Sequence, residues 1–168
     1  MVFLLLDNIA LLGKSGILLN WVDSNCTILG TQFTRNRNYG IRLYASEQTV
    51  VSYYSFNANR QGGIKIQGTD SKYTDTPLII GSLFGGNGIY NDEAHEIYIE
   101  YTVGTSILSN YFFGVKNVDT KSVIHLGKEA KSTIIKGSHW KLLNENTKKI
   151  MLLNIKTTQK KRLFFKPK

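Results

Sequence analysis

Proline is almost missing from this chain, with two among 168 residues, and cysteine is confined to Cys26. A lone thiol cannot close an internal disulfide, so a disulfide-stapled secreted miniprotein is excluded. CxxC zinc spacing, HExxH, GxSxG, P-loop and dinucleotide fingerprints are all absent. Long apolar runs are lacking too. The opening MVFLLL stops after six residues at Asp7 and Asn8, and no positive charge precedes it. It reads as core strand rather than as a signal peptide or a membrane span. What the chain does have is 42% hydrophobic residues, fifteen glycines, nine tyrosines and eight phenylalanines, a balance that favours aromatic strands and tight turns over a helical bundle.

The formal net charge of +9 would ordinarily suggest a polyanion such as nucleic acid. Its distribution points elsewhere. Residues 1–120 carry eight Lys/Arg against ten Asp/Glu, a net of −2, whereas residues 121–168 carry thirteen against two, a net of +11. Stacking aromatics do not interleave with this basic end apart from Phe164 and Phe165, so no nucleic-acid partner is expected. The reading is a body over residues 1–155 followed by a basic C-terminal tail over 156–168.

A repeat organises the body. Ile28/Phe33, Val51/Phe56, Ile79/Phe84, Ile107/Phe112 and Ile135/Trp140 each set an aliphatic residue five places before an aromatic one, 23 to 28 residues apart. In phase with them run Ile17-Leu18-Leu19, Ile41-Arg42-Leu43, Ile64-Lys65-Ile66, Ile97-Tyr98-Ile99 and Ile124-His125-Leu126, mostly with the period of two of a half-buried strand. Gly16, Gly40 and Gly63 precede the first three, and Asn36, Asn38, Asn57, Asn59 and Asn87 occupy the intervening turns. An offset of five would send aliphatic and aromatic side chains to opposite faces of a straight strand, so both enter one core only if the chain bends between them. Regular bends of this kind describe an all-β fold: a single-stranded right-handed parallel β-helix of about five to six coils, stacked about 4.8 Å apart. Leucine-rich repeats would need LxxLxLxxN, which does not recur, and a sandwich gives no reason for a constant offset.

The stretch DSNCTILGTQFTRNRNYGIRLYASEQTVVSYYSFNANRQGGIKIQG resembles repeats of the pectate-lyase-like superfamily, in which an Asn-rich turn leads into GI-x-[LI]; the likeness covers roughly residues 9–143. It implies a carbohydrate-directed protein, most like a bacteriophage tailspike that binds and cleaves surface polysaccharide. A homotrimer on a virion tail or cell surface is the setting implied. A structural shaft without catalysis is the alternative. A periplasmic carbohydrate-processing or copper-loading repeat protein is a third reading, against which the missing signal peptide weighs.

Residues between the inward positions of GI-x-[LI] face outward and align into columns. Arg42, Lys65, Tyr98 and His125 form one, with Tyr44, Gln67 and Glu100 two residues on. Rings stack on sugar faces and cations pair with uronates, so these are the candidate polysaccharide-binding residues, the alternative being a merely solvated face. Two wider connections, residues 68–77 and 85–96, bring Asp70, Asp75, Asp92, Glu93 and Glu96. With Glu100 these are the candidate catalytic carboxylates, which would lie about 5 Å or about 6.5–9.5 Å apart in a glycoside hydrolase. The chain reads as no certain enzyme; a lyase and a hydrolase stay open. His95 with Asp92 and Glu96 is a weak metal pattern, so no metal and no cofactor are expected.

Overall fold

The computed structural model describes residues 9–11, 15–21, 25–30, 32–88, 95–115, 123–142 and 153–155. Every paired strand among them runs parallel to its neighbour. Four ladders result. A Phe sheet stacks β1 (Ile9–Leu11), β4 (Gln32–Thr34), β7 (Ser55–Asn57), β11 (Leu83–Gly85), β15 (Tyr111–Val115) and β19 (His139–Leu142). An aliphatic sheet stacks β3 (Cys26–Leu29), β6 (Thr49–Ser52), β10 (Leu78–Ile80), β14 (Ser106–Leu108) and β18 (Ile134–Lys136). A Gly-Ile sheet stacks β2 (Ile17–Asn20), β5 (Tyr39–Tyr44), β8 (Gly62–Gln67), β12 (His95–Glu100), β16 (Ile124–Leu126) and β20 (Leu153–Ile155). A short corner sheet of β9 (Thr74–Asp75), β13 (Thr102–Val103) and β17 (Ala130–Lys131) joins the Gly-Ile sheet to the aliphatic sheet in the later coils.

The chain therefore winds through five full coils, as its period predicts, with β1 and β20 beginning and ending the stack. Register agrees residue by residue: Phe33, Phe56, Phe84 and Phe112 pair in succession, as do Ile28, Val51, Ile79, Ile107 and Ile135. All nine are buried. Adjacent Phe rings stack at 5.4, 4.8 and 4.9 Å between centroids.

The odd offset of five has a specific cause. Two residues after each aliphatic member, the chain enters the left-handed region, at Gly30, Tyr53, Gly81, Ser109 and Gly137, with φ between 52° and 72°. One left-handed residue turns the strand and sends the aromatic residue into the same core as the aliphatic one. Glycine in GI-x-[LI] has a different reason. A Cβ on Gly40 would come within 2.6 Å of Phe56, and one on Gly63 within 2.8 Å of Phe84, so the next ring occupies the volume a side chain would need.

Turn asparagines divide into two kinds. Asn57 is exposed, whereas Asn36, Asn59 and Asn87 are buried and form an amide ladder along the corner between the Phe and Gly-Ile sheets. Asn36 donates to Asn59 Oδ1, and Asn59 Nδ2 donates to Asn87 Oδ1 (2.8 Å) and to Phe33 O (2.9 Å). Glu96 ends the ladder by accepting from the backbone N–H and the side-chain amide of Asn87.

Candidate ligand-binding face

The outer side of the Gly-Ile sheet assembles the predicted column in register: Leu18, Arg42, Lys65, Tyr98 and His125 pair in succession. Neighbouring positions Asn20, Tyr44, Gln67 and Glu100 form the second column. Parallel pairing forces this alignment, because each coil repeats the in-out alternation of the last.

A chain of polar contacts crosses the coils. Arg42 donates to Gln67 Oε1 (3.4 Å), Gln67 Nε2 donates to Glu100 Oε2 (3.2 Å), and the Tyr98 hydroxyl donates to the same oxygen (3.2 Å). Lys65 Nζ sits 4.9 Å from the Tyr98 ring centroid and 5.9 Å from that of Tyr39. Tyr98 stacks on His125 at 4.8 Å, and His125 on His95 at 4.6 Å. Lys65, Tyr98 and His125 thus cover one another's faces along the strip, and His125, expected to face outward, is only 8% exposed, as is His95. Arg42 Nε is buried and has no partner among the described residues.

Burial pulls the Lys65 pKa below its ordinary 10.5; Arg42 adds to the shift and Glu100 opposes it. Burial likewise raises Tyr39 above 10.0, with Arg42 opposing. Since folding disfavours the Lys65 ammonium, the unfolded chain holds more protons between the lowered pKa and 10.5, and this group's contribution to stability rises with pH there. An arriving anion reverses the preference. Anion binding at pH just below 10.5 should therefore take up protons at Lys65, seen as a calorimetric heat that depends on the buffer's ionisation enthalpy. Lys65→Arg should abolish that dependence, and equal wild-type heats in two buffers would count against it.

Among the described residues the candidate carboxylates take separate places. Glu100 is on the face and engaged as above. Glu96 is two residues before Tyr98 yet only 4% exposed, because the strand places His95 outward and turns Glu96 to the asparagine ladder. Asp70 is in an exposed loop with Lys128 at 3.9 Å, and Asp75 is in β9 on the corner sheet. Asp92 and Glu93 lie outside the described residues, as does the tail 156–168.

Sequence reasoning missed the corner beside this face. Trp21, 51% exposed, meets Tyr44 edge-on at 6.3 Å and lies 5.2 Å from Lys72 Nζ; Tyr101 lies 5.3 Å from Lys128 Nζ and 6.2 Å from Tyr73. The signal was present as spacing: Trp21, Ala45, Gly68 and Tyr101 each stand four residues after the first Ile of a GI-x-[LI]-type strand.

Residues 3–146 match the family described as Periplasmic copper-binding protein (NosD). The chain belongs to that family. No curated protein and no solved structure matches it. A NosD-family chain is a right-handed parallel β-helix, in agreement with the coils and ladders above. The match falls on the family type that the sequence ranked third, because tailspikes and NosD chains share the coil signals that dominate this sequence.

Among the described residues no three His, Cys, Asp or Glu side chains converge. Cys26 is buried in the core, His139 is exposed on the Phe sheet, and His95 and His125 lie face to face with rings 20° from parallel. Stacked imidazoles aim their in-plane nitrogens side by side instead of at a common point. These residues do not fit a copper ion.

Proposed function

We propose that the outer face of the Gly-Ile sheet binds an acidic polysaccharide laid along the solenoid axis. The observation that carries this reading is the register of Arg42, Lys65, Tyr98 and His125, one per coil, with Lys65 stacked on Tyr98 and Tyr98 on His125. Coils repeat about every 4.8 Å, close to the advance of one pyranose in an extended chain, so each sugar meets equivalent positions. Guanidinium and ammonium suit uronate carboxylates, and Tyr98, held between Lys65 and His125, offers its ring edge and hydroxyl beside them. Trp21 and Lys72 extend the strip around the corner. The reading is of a binding module, since Glu100 is engaged by Gln67 and Tyr98, Glu96 is turned in to Asn87, and Asp70 stands in an exposed loop. The family's description favours a periplasmic setting over a virion tail. Copper, named in that description, finds no donor set among the described residues.

Titration with polygalacturonate, with dextran as the neutral control, tests the proposal at two ionic strengths. Wild-type affinity should fall with salt, because exposed charges are screened over about 8–10 Å. Arg42→Ala with Lys65→Ala should weaken binding about tenfold at low salt and flatten the salt response, while the circular-dichroism spectrum stays that of the parent. Tyr98→Ala should weaken binding without changing the salt slope. A double variant that binds like the parent at both salt levels refutes the assignment.

A further inference from the structure

The asparagine ladder ends on a reactive pair. Asn36 and Asn59 are each followed by arginine, whereas Asn87 is followed by Gly88, the one Asn-Gly sequence in the chain. Glycine is demanded there by the backbone, which turns left-handed at Gly88 (φ 69°) beyond β11. Lacking a Cβ, glycine also leaves its amide nitrogen unshielded, so that this nitrogen can attack the side-chain carbonyl carbon of the asparagine before it. The folded chain holds every atom that such an attack needs. Gly88 N–H donates to Asn59 O (2.7 Å), which ties up the proton that the nucleophile must lose. Asn87 Nδ2, the leaving group, donates to Phe56 O (2.9 Å) and to the Glu96 carboxylate. Asn87 Oδ1 accepts from Asn59 N–H (3.1 Å) and Nδ2 (2.8 Å), and the residue is only 7% exposed.

We infer that Asn87 is a deamidation site that opens only when this corner opens, and that its modification turns unfolding of the chain into lasting damage. In the opened chain Gly88 N gives its proton to water and bonds to Asn87 Cγ. The Cγ–Nδ2 bond breaks, ammonia leaves carrying a proton, and a five-membered succinimide remains. Water then opens the ring at either carbonyl, so that one ammonia is lost and one water gained, and position 87 holds an aspartate or an isoaspartate. Neither product refits the corner. The aspartate carboxylate would face the Glu96 carboxylate without a proton to share, and Phe56 O would lose its donor in a buried place. The isoaspartyl link would add a methylene to the main chain between β11 and β12, whose pairings with the neighbouring coils fix its length. The closed corner therefore protects the chain, and the rate of damage follows the rate of opening.

Mass spectrometry of the full chain, kept at mildly alkaline pH either folded in buffer or unfolded in urea, locates the amide-to-acid change. Asn87 in urea should be modified at least about tenfold faster than in buffer, and faster than any other asparagine. Asn59→Ala removes both contacts to Asn87 Oδ1, so it should raise the rate in buffer about tenfold and leave the rate in urea unchanged. Gly88→Ala, read in urea where its fold is immaterial, should slow the reaction about tenfold, because a Cβ shields the nitrogen. Asn87→Asp, which supplies one product directly, should lower the melting temperature at neutral pH by on the order of 10 °C. Equal rates at Asn87 in buffer and in urea overturn the inference, and so does an Asn87→Asp variant that melts like wild type.

Discussion

Phe84→Ala should cost about 3–5 kcal/mol of folding free energy, lowering the thermal midpoint on the order of 10 °C. The ring is fully buried and stacks on Phe56 on one side and on Phe112 on the other, so truncation removes packing against both adjoining coils. Collapse of the cavity is hindered, because the backbones above and below are held at fixed spacing by parallel ladders. Gly63 also loses the ring that its bare Cα packs against. Phe84→Leu should recover a large part of the loss, since the core asks for apolar volume more than for aromaticity. A melting curve of Phe84→Ala that overlays the wild type is incompatible with the ladder.

The architecture was legible because a solenoid writes one structural rule many times. Constant spacing from Ile28/Phe33 to Ile135/Trp140 could be read without knowing any single bend, and the left-handed residues at Gly30, Tyr53, Gly81, Ser109 and Gly137 explain the spacing afterwards. Two of those five are not glycine, so the bend was visible as an offset and not as a residue type. Side-chain direction in the turns was less legible. Asn57 and Asn59 have the same turn propensity, yet one is exposed and the other carries the amide ladder. Glu96 shows the same limit: alternation counted from Tyr98 puts it outward, and the structure turns it in.

Function was harder to read because it depends on what faces outward, where the repeat imposes no residue type. The column from Arg42 to His125 followed from the strand period. Trp21 and Tyr101 fell at a corner where period two no longer applies. The aliphatic outer surface was written as Ile-Leu, Leu-Ile-Ile and Ile-Ile runs, in which apolar residues on both sides of the strand resemble a wholly buried strand. Structure separates the inward Ile28, Ile79 and Ile107 from the outward Leu29, Leu78, Ile80 and Leu108.

Asn59→Ala should destabilise the chain by about 3 kcal/mol, a cost set by the groups left behind more than by the bonds removed. Asn59 accepts from the Asn36 N–H (3.1 Å) and side-chain amide (2.9 Å), and donates to Phe33 O and Asn87 Oδ1, all at a buried corner. Each buried group stranded without a partner costs about 1–3 kcal/mol, and water that enters the cavity recovers only part. Asn59→Asp separates amide chemistry from shape, since it keeps the volume and deletes the donor. At neutral pH its carboxylate would face Phe33 O and Asn87 Oδ1 without a proton to share, so the isosteric variant should be at least as unstable as alanine. Burial beside those oxygens raises the new carboxyl's folded pKa above its unfolded value of about 3.9. The native state then holds more protons between the two values, so the variant gains stability relative to wild type as pH falls through that window and is most nearly restored below it. Urea unfolding of wild type, Asn59→Ala and Asn59→Asp at neutral and acid pH gives the reading. An Asp variant as stable as wild type at neutral pH, or one that gains nothing on acidification, would show that the ladder's amide donors contribute little to the fold.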